Sequence, residues 1–212
     1  MLHGHVAEVT SAVFSADGVR IVTASRDNTA GLWDRASAER VAVLREHASF
    51  VTGAAFSPNG TLAATASADH TARLWDAKIG GELAVLAGHT SFVSGAVFDA
   101  EGKRTVTASG DRTARLWDVI GGTEILAFQG HAAEVNSATF SPDGACVVTA
   151  SADHTARLWD AMTGVLRVEL KGHTSFVNSA AFSPDGTCVA TASAYHTARL
   201  WNAASGAELV VF

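Results

Sequence analysis

From Glu134 to Leu170 the hydrophobic pattern is a series of short runs broken at regular places. EVNSATF (Glu134–Phe140), ACVVTAS (Ala145–Ser151), ARLWD (Ala156–Asp160) and VLRVEL (Val165–Leu170) are five to seven residues long. Between them stand SPDG, ADHT and AMTG. In SPDG the proline sets φ at the second turn position, and the glycine supplies a positive φ at the end. Runs of this length joined by tight turns predict four strands of one antiparallel meander. No window sustains a helical period. The alternation of polar and apolar residues is weak, and CVVTAS and EVNSATF carry small or apolar residues on both faces. A sheet of that kind expects cover on both sides.

The pattern returns every 42 residues. Trp33, Trp75, Trp117, Trp159 and Trp201 keep this step, as do His5, His47, His89, His131 and His173. A fixed period of about 20–50 residues marks an array of one supersecondary unit. Four-stranded meanders stacked around a common axis cover one another on both faces, so the predicted class is all-β: a β-propeller of five four-stranded antiparallel blades. One domain is expected over 1–212, with blades at about 3–45, 46–87, 88–129, 130–171 and 172–212.

Each unit carries a histidine before its first strand, usually as Gly-His, an SPDG-like turn, an S-x-D-x-T stretch and a final LWD. These features resemble the WD40 repeat, and the resemblance covers essentially the whole chain. In that family a His, a Ser or Thr, the Asp of the tight turn and the Trp form a hydrogen-bonded tetrad inside each blade. The resemblance implies the sets His5, Ser25, Asp27 and Trp33; His47, Ser67, Asp69 and Trp75; His89, Ser109, Asp111 and Trp117; and His131, Ser151, Asp153 and Trp159. The fifth set is His173, Ser193 and Trp201, with Tyr195 where the aspartate belongs. Such a chain of donors and acceptors gives buried polar atoms their partners and rigidifies its surroundings. Tyr195 cannot act as that carboxylate, although its hydroxyl can accept a hydrogen bond.

His, Ser and Asp in every unit also suggest a hydrolase, but residues repeated in every blade lie on a ring and not at one site. The first strands, VTSAVF, VTGAAF, VSGAVF, VNSATF and VNSAAF, bring no acid, base or metal ligand to the axis. No nucleophile elbow, phosphate loop or zinc-spaced cysteine motif occurs. We expect no enzymatic activity, no cofactor and no metal. His70, His154 and His196 read as solvated loop residues. Arg73, Arg115, Arg157 and Arg199, with Gly31 in the first unit, read as partners of nearby carboxylates or as a basic belt.

The position before each first strand is more informative: Glu8, Phe50, Phe92, Glu134 and Phe176. By the family resemblance it lies at the channel mouth, where three aromatic rings and two acids would form a rim that fits a peptide with an apolar and a basic side chain. Behind it Thr10, Thr52, Ser94, Asn136 and Asn178 offer hydrogen-bonding groups. The other reading has these rings fold under their loops and pack on the neighbouring blade.

Closure has three readings: a closed five-bladed monomer, an open arc pairing with a second chain, or an excerpt of a longer array. Family rings commonly close by strand exchange. A start at MLHGH and an end in GAELVVF leave each blade self-contained, so the expected state is a ring closed without N-terminal strand exchange, by packing of blade one on blade five. An open arc would expose two apolar faces and become a homo-oligomer or aggregate.

Charge and cysteine content change this picture little. The formal charge of −6 argues against nucleic acid as partner. No apolar run approaches a membrane span, MLHGHVAEVT does not read as a signal peptide, and no membrane partner is expected. Cys146 and Cys188 occupy equivalent places in adjacent units, about 10 Å apart by sheet spacing, too far for a disulfide. Two buried free thiols fit a reducing, cytoplasmic setting. The function expected is a non-catalytic protein- or peptide-binding scaffold; the alternative is a structural repeat module without its own ligand site.

Overall fold

The computed structural model describes residues 3–212. Blade one holds β1 (Val9–Phe14), β2 (Arg20–Ser25), β3 (Ala30–Asp34) and β4 (Arg40–Leu44). Blade two holds β5 (Val51–Phe56), β6 (Leu62–Ser67), β7 (Thr71–Asp76) and β8 (Glu82–Ala87). Blade three holds β9 (Val93–Phe98), β10 (Arg104–Ser109), β11 (Ala114–Asp118) and β12 (Glu124–Phe128). Blade four holds β13 (Val135–Phe140), β14 (Cys146–Ser151), β15 (Thr155–Asp160) and β16 (Leu166–Lys171). Blade five holds β17 (Val177–Phe182), β18 (Cys188–Ser193), β19 (Thr197–Asn202) and β20 (Glu208–Val211). Every blade is a meander whose strands pair in sequence order, all antiparallel. The turn chemistry read from SPDG holds in detail: Gly144 sits at φ 67°, and its N–H donates to the Ser141 carbonyl at 2.9 Å.

The core lies between blades, not within them. Val22, Ala24, Ala30, Leu32 and Leu44 of blade one pack on Val51, Ala63 and Trp75 of blade two. Equivalent sets join blades two and three, three and four, and four and five. This is why the strands lack a clean apolar–polar alternation: both faces of each middle blade meet a neighbour, so neither face needs to be polar. Small residues such as Ala66, Ala108 and Ala150 on the second strands let the sheets approach closely.

The first strand of each blade departs from regular pairing at one place. Val9 pairs with Ser25 and Ser11 with Ala24, leaving Thr10 as an extra residue; the same bulge recurs in all five blades. A bulge re-aims a side chain. Here it turns Thr10, Thr52 and Ser94 sideways, and each donates to a carbonyl of the next blade: Val51 at 2.7 Å, Val93 at 2.6 Å and Val135 at 2.8 Å. Asn136 does the same to Val177 at 2.9 Å through its amide. Expected to face a ligand, these four residues instead tie adjacent blades together.

The array does not close. The first face of blade one and the last face of blade five are uncovered, which corrects the expected closed ring. Val51, Val93, Val135 and Val177 are fully buried, whereas the equivalent Val9 is 48% exposed. At the other end Val210 and Phe212 are exposed. The cysteines also differ from expectation: Cys146 and Cys188 are free but only half-buried, and burial pushes the Cys146 thiol pKa up.

Leu116 is buried between blades three and four. Leu116→Ala should cost about 2–5 kcal/mol, the range for a large-to-small change in a packed core. Urea denaturation measures this; a loss below about 1 kcal/mol would show that the inter-blade layer is not the main source of stability.

Candidate functional site

Each blade contains a side-chain network running from its outer loop to its third strand. In blade one the Trp33 indole N–H donates to Thr23 Oγ1 at 2.8 Å, and Thr23 meets His5 Nε2 at 2.7 Å. His5 Nδ1 lies 2.8 Å from Asp27 Oδ2. Blades two, three and four repeat this with Thr65, Thr107 and Thr149. The hydroxyl in every network is therefore a threonine. The serines expected there, Ser25, Ser67, Ser109, Ser151 and Ser193, sit one turn of the pleat further on.

The register explains the correction. Trp33 stands opposite Ile21, so Thr23 is its diagonal neighbour on the same face, while Ser25 lies a further two residues along, about 7 Å away. The serines organise the tight turn instead: Ser25 accepts from the Asp27 N–H at 3.1 Å, and Ser109 donates to the Phe92 carbonyl at 2.8 Å. Turn length was the signal that could have found the threonines, because it fixes which second-strand residue faces the tryptophan.

The hydrogen bonds assign a tautomer. Aspartate takes the Nδ1–H, so Nε2 is left to accept from the threonine hydroxyl, and that oxygen accepts from the indole. Each link then has one donor. Burial lowers the pKa of His47, His89 and His131 below the ordinary 6.5, against the pull of the adjoining aspartate. For Asp69 and Asp111 burial works against ionisation, but hydrogen bonds from the threonine hydroxyl two residues on and from the histidine outweigh it, bringing the pKa down to about 2.

The five rim positions fall into separate groups. Glu8 pairs with Arg26 at 3.2 Å, and the Arg26 guanidinium lies 5.8 Å from the centroid of the Phe50 ring, on the next blade. Phe92 is half-buried against Gly110, where an added Cβ would come within 2.5 Å of the ring. Phe176 stays 51% exposed and stands 5.8 Å, centroid to centroid, from the His154 ring. Glu134 and Phe176 border one cavity of about 510 Å³ together with Arg112, Asn136 and Asn178. His154 thus touches a rim ring, and its turn holds a non-glycine φ of 73°. Among the described residues no group of three or more His, Cys, Asp or Glu is placed to hold a metal ion.

The family model for the WD domain, G-beta repeat, matches residues 1–34, 38–76, 80–118, 122–160 and 164–202. The chain belongs to the WD-repeat family. A search of curated proteins finds no match. WD repeats generally mediate protein–protein scaffolding and are typically non-catalytic. Each matched segment ends at the LWD or LWN of a third strand, so from the second segment on a repeat combines the end of one blade with three strands of the next.

Two WD repeats depart from the common plan. In blade five His173 Nδ1 turns to Thr197 Oγ1 at 3.1 Å, and Tyr195 lies 68% exposed beside the His196 ring. The network keeps its Thr191 links to His173 and Trp201 at 2.7 and 2.8 Å and loses only the carboxylate. In blade one Gly31 replaces the third-strand arginine. Elsewhere that arginine pairs with a carboxylate of the fourth strand: Arg73 with Glu82, Arg115 with Glu124, Arg157 with Glu169 and Arg199 with Glu208. Blade one puts Arg40 where Glu82, Glu124 and Glu208 stand, and its guanidinium lies over Trp33, 5.7 Å from the ring centroid. The arginine has changed strands and lies over the tryptophan, as Arg199 does over Trp201 in blade five.

In the intact networks the aspartate accepts several bonds; Asp27 takes the Val6 and Thr29 N–H groups and the Thr29 hydroxyl as well as His5. Tyr195→Asp should restore these and raise stability by about 1 kcal/mol; a lower melting temperature would contradict it. Acidification should act the other way. Unfolded imidazoles protonate near 6.5 and carboxylates near 3.8, while the folded groups resist to lower pH, so the unfolded state binds more protons. Stability is complete above pH 6.5, falls below it through the histidines, and falls again from 3.8 toward about 2 through Asp69 and Asp111. A melting temperature constant from pH 7.5 to 4.5 would show that the histidines are not held neutral.

Proposed function

We propose that this WD-repeat chain is a non-catalytic binding platform that takes a peptide segment at the rim cavity of blades three to five. The observation that supports this reading is the cavity of about 510 Å³ bordered by Phe176, Glu134, Arg112, Asn136 and Asn178. It joins an exposed aromatic ring, an exposed carboxylate and amide side chains in one concave place, the composition of a site with an apolar anchor and a few orienting polar groups. Glu134 has no ion pair among the described residues, so a basic side chain of the peptide is its natural partner. Phe176 would receive an apolar one. Phe92, packed on Gly110, does not border this cavity. The Phe50 ring is shared with Arg26 and lies away from this cavity.

The test is selection from a displayed random-peptide library followed by fluorescence anisotropy on the selected sequences. Peptides pairing Lys or Arg with a large apolar residue should be enriched. Phe176→Ala and Glu134→Ala should each weaken them about tenfold or more, with circular dichroism unchanged, because both side chains are exposed. No enrichment, or equal binding by both variants, would remove the rim as the site.

A further inference from the structure

We infer that a cavity between blades four and five, at the opposite end of the first strands from the rim, takes the guanidinium of an arginine from a partner protein. The chain itself shows how this slot is filled elsewhere. Arg20, Leu62, Arg104 and Cys146 hold one place, 42 residues apart, at the start of the second strand in blades one to four. Arg20 donates to the Ala77 carbonyl of blade two. Leu62 packs into the apolar layer between blades two and three. Arg104 donates to the Gly144 carbonyl of blade four at 2.8 Å, and its guanidinium lies over the Phe140 ring, 5.3 Å from the centroid. Three interfaces thus plug the slot with a long side chain, two of them with a guanidinium.

The fourth interface does not. Cys146 is too short to cross it, and a cavity of about 290 Å³ remains between Cys146 and Phe182. An apolar cavity of about 150 Å³ holds benzene, so there is room here for a guanidinium and its methylene stem. The receiving groups are in place. Gly186 and Ala203 border the cavity and repeat Gly144 and Ala77, whose carbonyls accept from Arg104 and Arg20. Among the described residues neither the Gly186 nor the Ala203 carbonyl accepts a hydrogen bond from the chain. Phe182 repeats Phe140 and offers a ring on which a guanidinium stacks. An added Cβ on Gly144 would meet the Arg104 guanidinium at 2.7 Å, whereas one on Gly186 would meet only Pro142, at 3.6 Å.

Charge selects a cation. Asp143 and Asp185 border the cavity, and neither forms an ion pair among the described residues. The Ser183 hydroxyl and the Thr187 amide bring the Asp185 pKa down to about 2, so this carboxylate stays ionised. Arg167 stands on the wall, but its guanidinium is held by Asp160 at 2.5 Å and lies 2.9 Å from the Cys146 sulfur, within its own blade. That pair cancels, and the two turn carboxylates remain. An ammonium would meet the same charges but could not also stack flat on Phe182 and fork to two carbonyls, as a guanidinium does. Pro142, Asp143 and Asp185 are exposed, so the slot is reached from outside the molecule. The arginine belongs to a protein chain because the carboxylate of the free amino acid would be repelled by Asp143 and Asp185.

Titration of the isotope-labelled 212-residue chain with the peptide acetyl-Gly-Arg-Gly-amide, followed through backbone amide chemical shifts, tests this. The expected result is saturable shifts at Gly186, Thr187 and Ala203, and binding about tenfold weaker or worse when uncharged citrulline replaces the arginine. Cys146→Arg should fill the slot from within, as Arg20 and Arg104 do, raising the melting temperature and abolishing those shifts. Cys146→Leu, which copies Leu62 of blade two, should abolish them too and serves if the arginine variant does not fold. No saturable shift at these amides, equal binding of the citrulline peptide, or binding that persists in a folded variant with the slot filled would each overturn the inference. Shifts confined to Glu134 and Phe176 would also overturn it while favouring the rim, so the two readings fail separately.

Discussion

The packing of one blade face on the next is the constraint on which this molecule rests. A four-stranded meander of Val, Ala, Leu and Thr has no face suited to water, and alone it could not offset the conformational entropy of its own chain. Stacking supplies the missing cover. Each fourth-strand leucine or phenylalanine is held against the next tryptophan, and each bulged Thr, Ser or Asn holds the next first strand. Stability in such an array is a sum over blades and over the interfaces between them. The terminal blades therefore differ from the middle ones in energy even where their sequences agree.

Within a blade, the Asp–His–Thr–Trp network ties the loop before the first strand, the second strand, the tight turn and the third strand into one unit. Its members are buried or nearly so, so each link matters more than it would in water. The network also accounts for the repeated histidines without any catalytic role: they are internally bonded and dispersed around the arc. Blade five shows what the carboxylate adds. Without it His173 finds Thr197, and the tight turn loses the acceptor that gathers its N–H groups.

Function then falls to the places the repeat does not use up. The rim differs from blade to blade, Glu or Phe, and this variation gives a concave region joining the exposed Phe176 ring to Glu134, which has no ion pair among the described residues.

The sequence by itself determined the unit. A period of 42 residues, turn chemistry at SPDG and ADHT, and apolar runs without alternation were enough for five four-stranded blades, because these depend on local propensity and on a count. Three matters waited for the tertiary structure. Thr23 and Ser25 share a strand face, so only the register with Trp33 chose between them. Thr10, Thr52, Ser94 and Asn136 looked like ligand-facing groups until the bulge turned them onto the next blade. Closure depends on the angle between packed sheets, a small rotation set by side-chain interdigitation and accumulated over four interfaces. No residue pattern states that angle, so the same five blades read as a ring in sequence and stand as an arc in space.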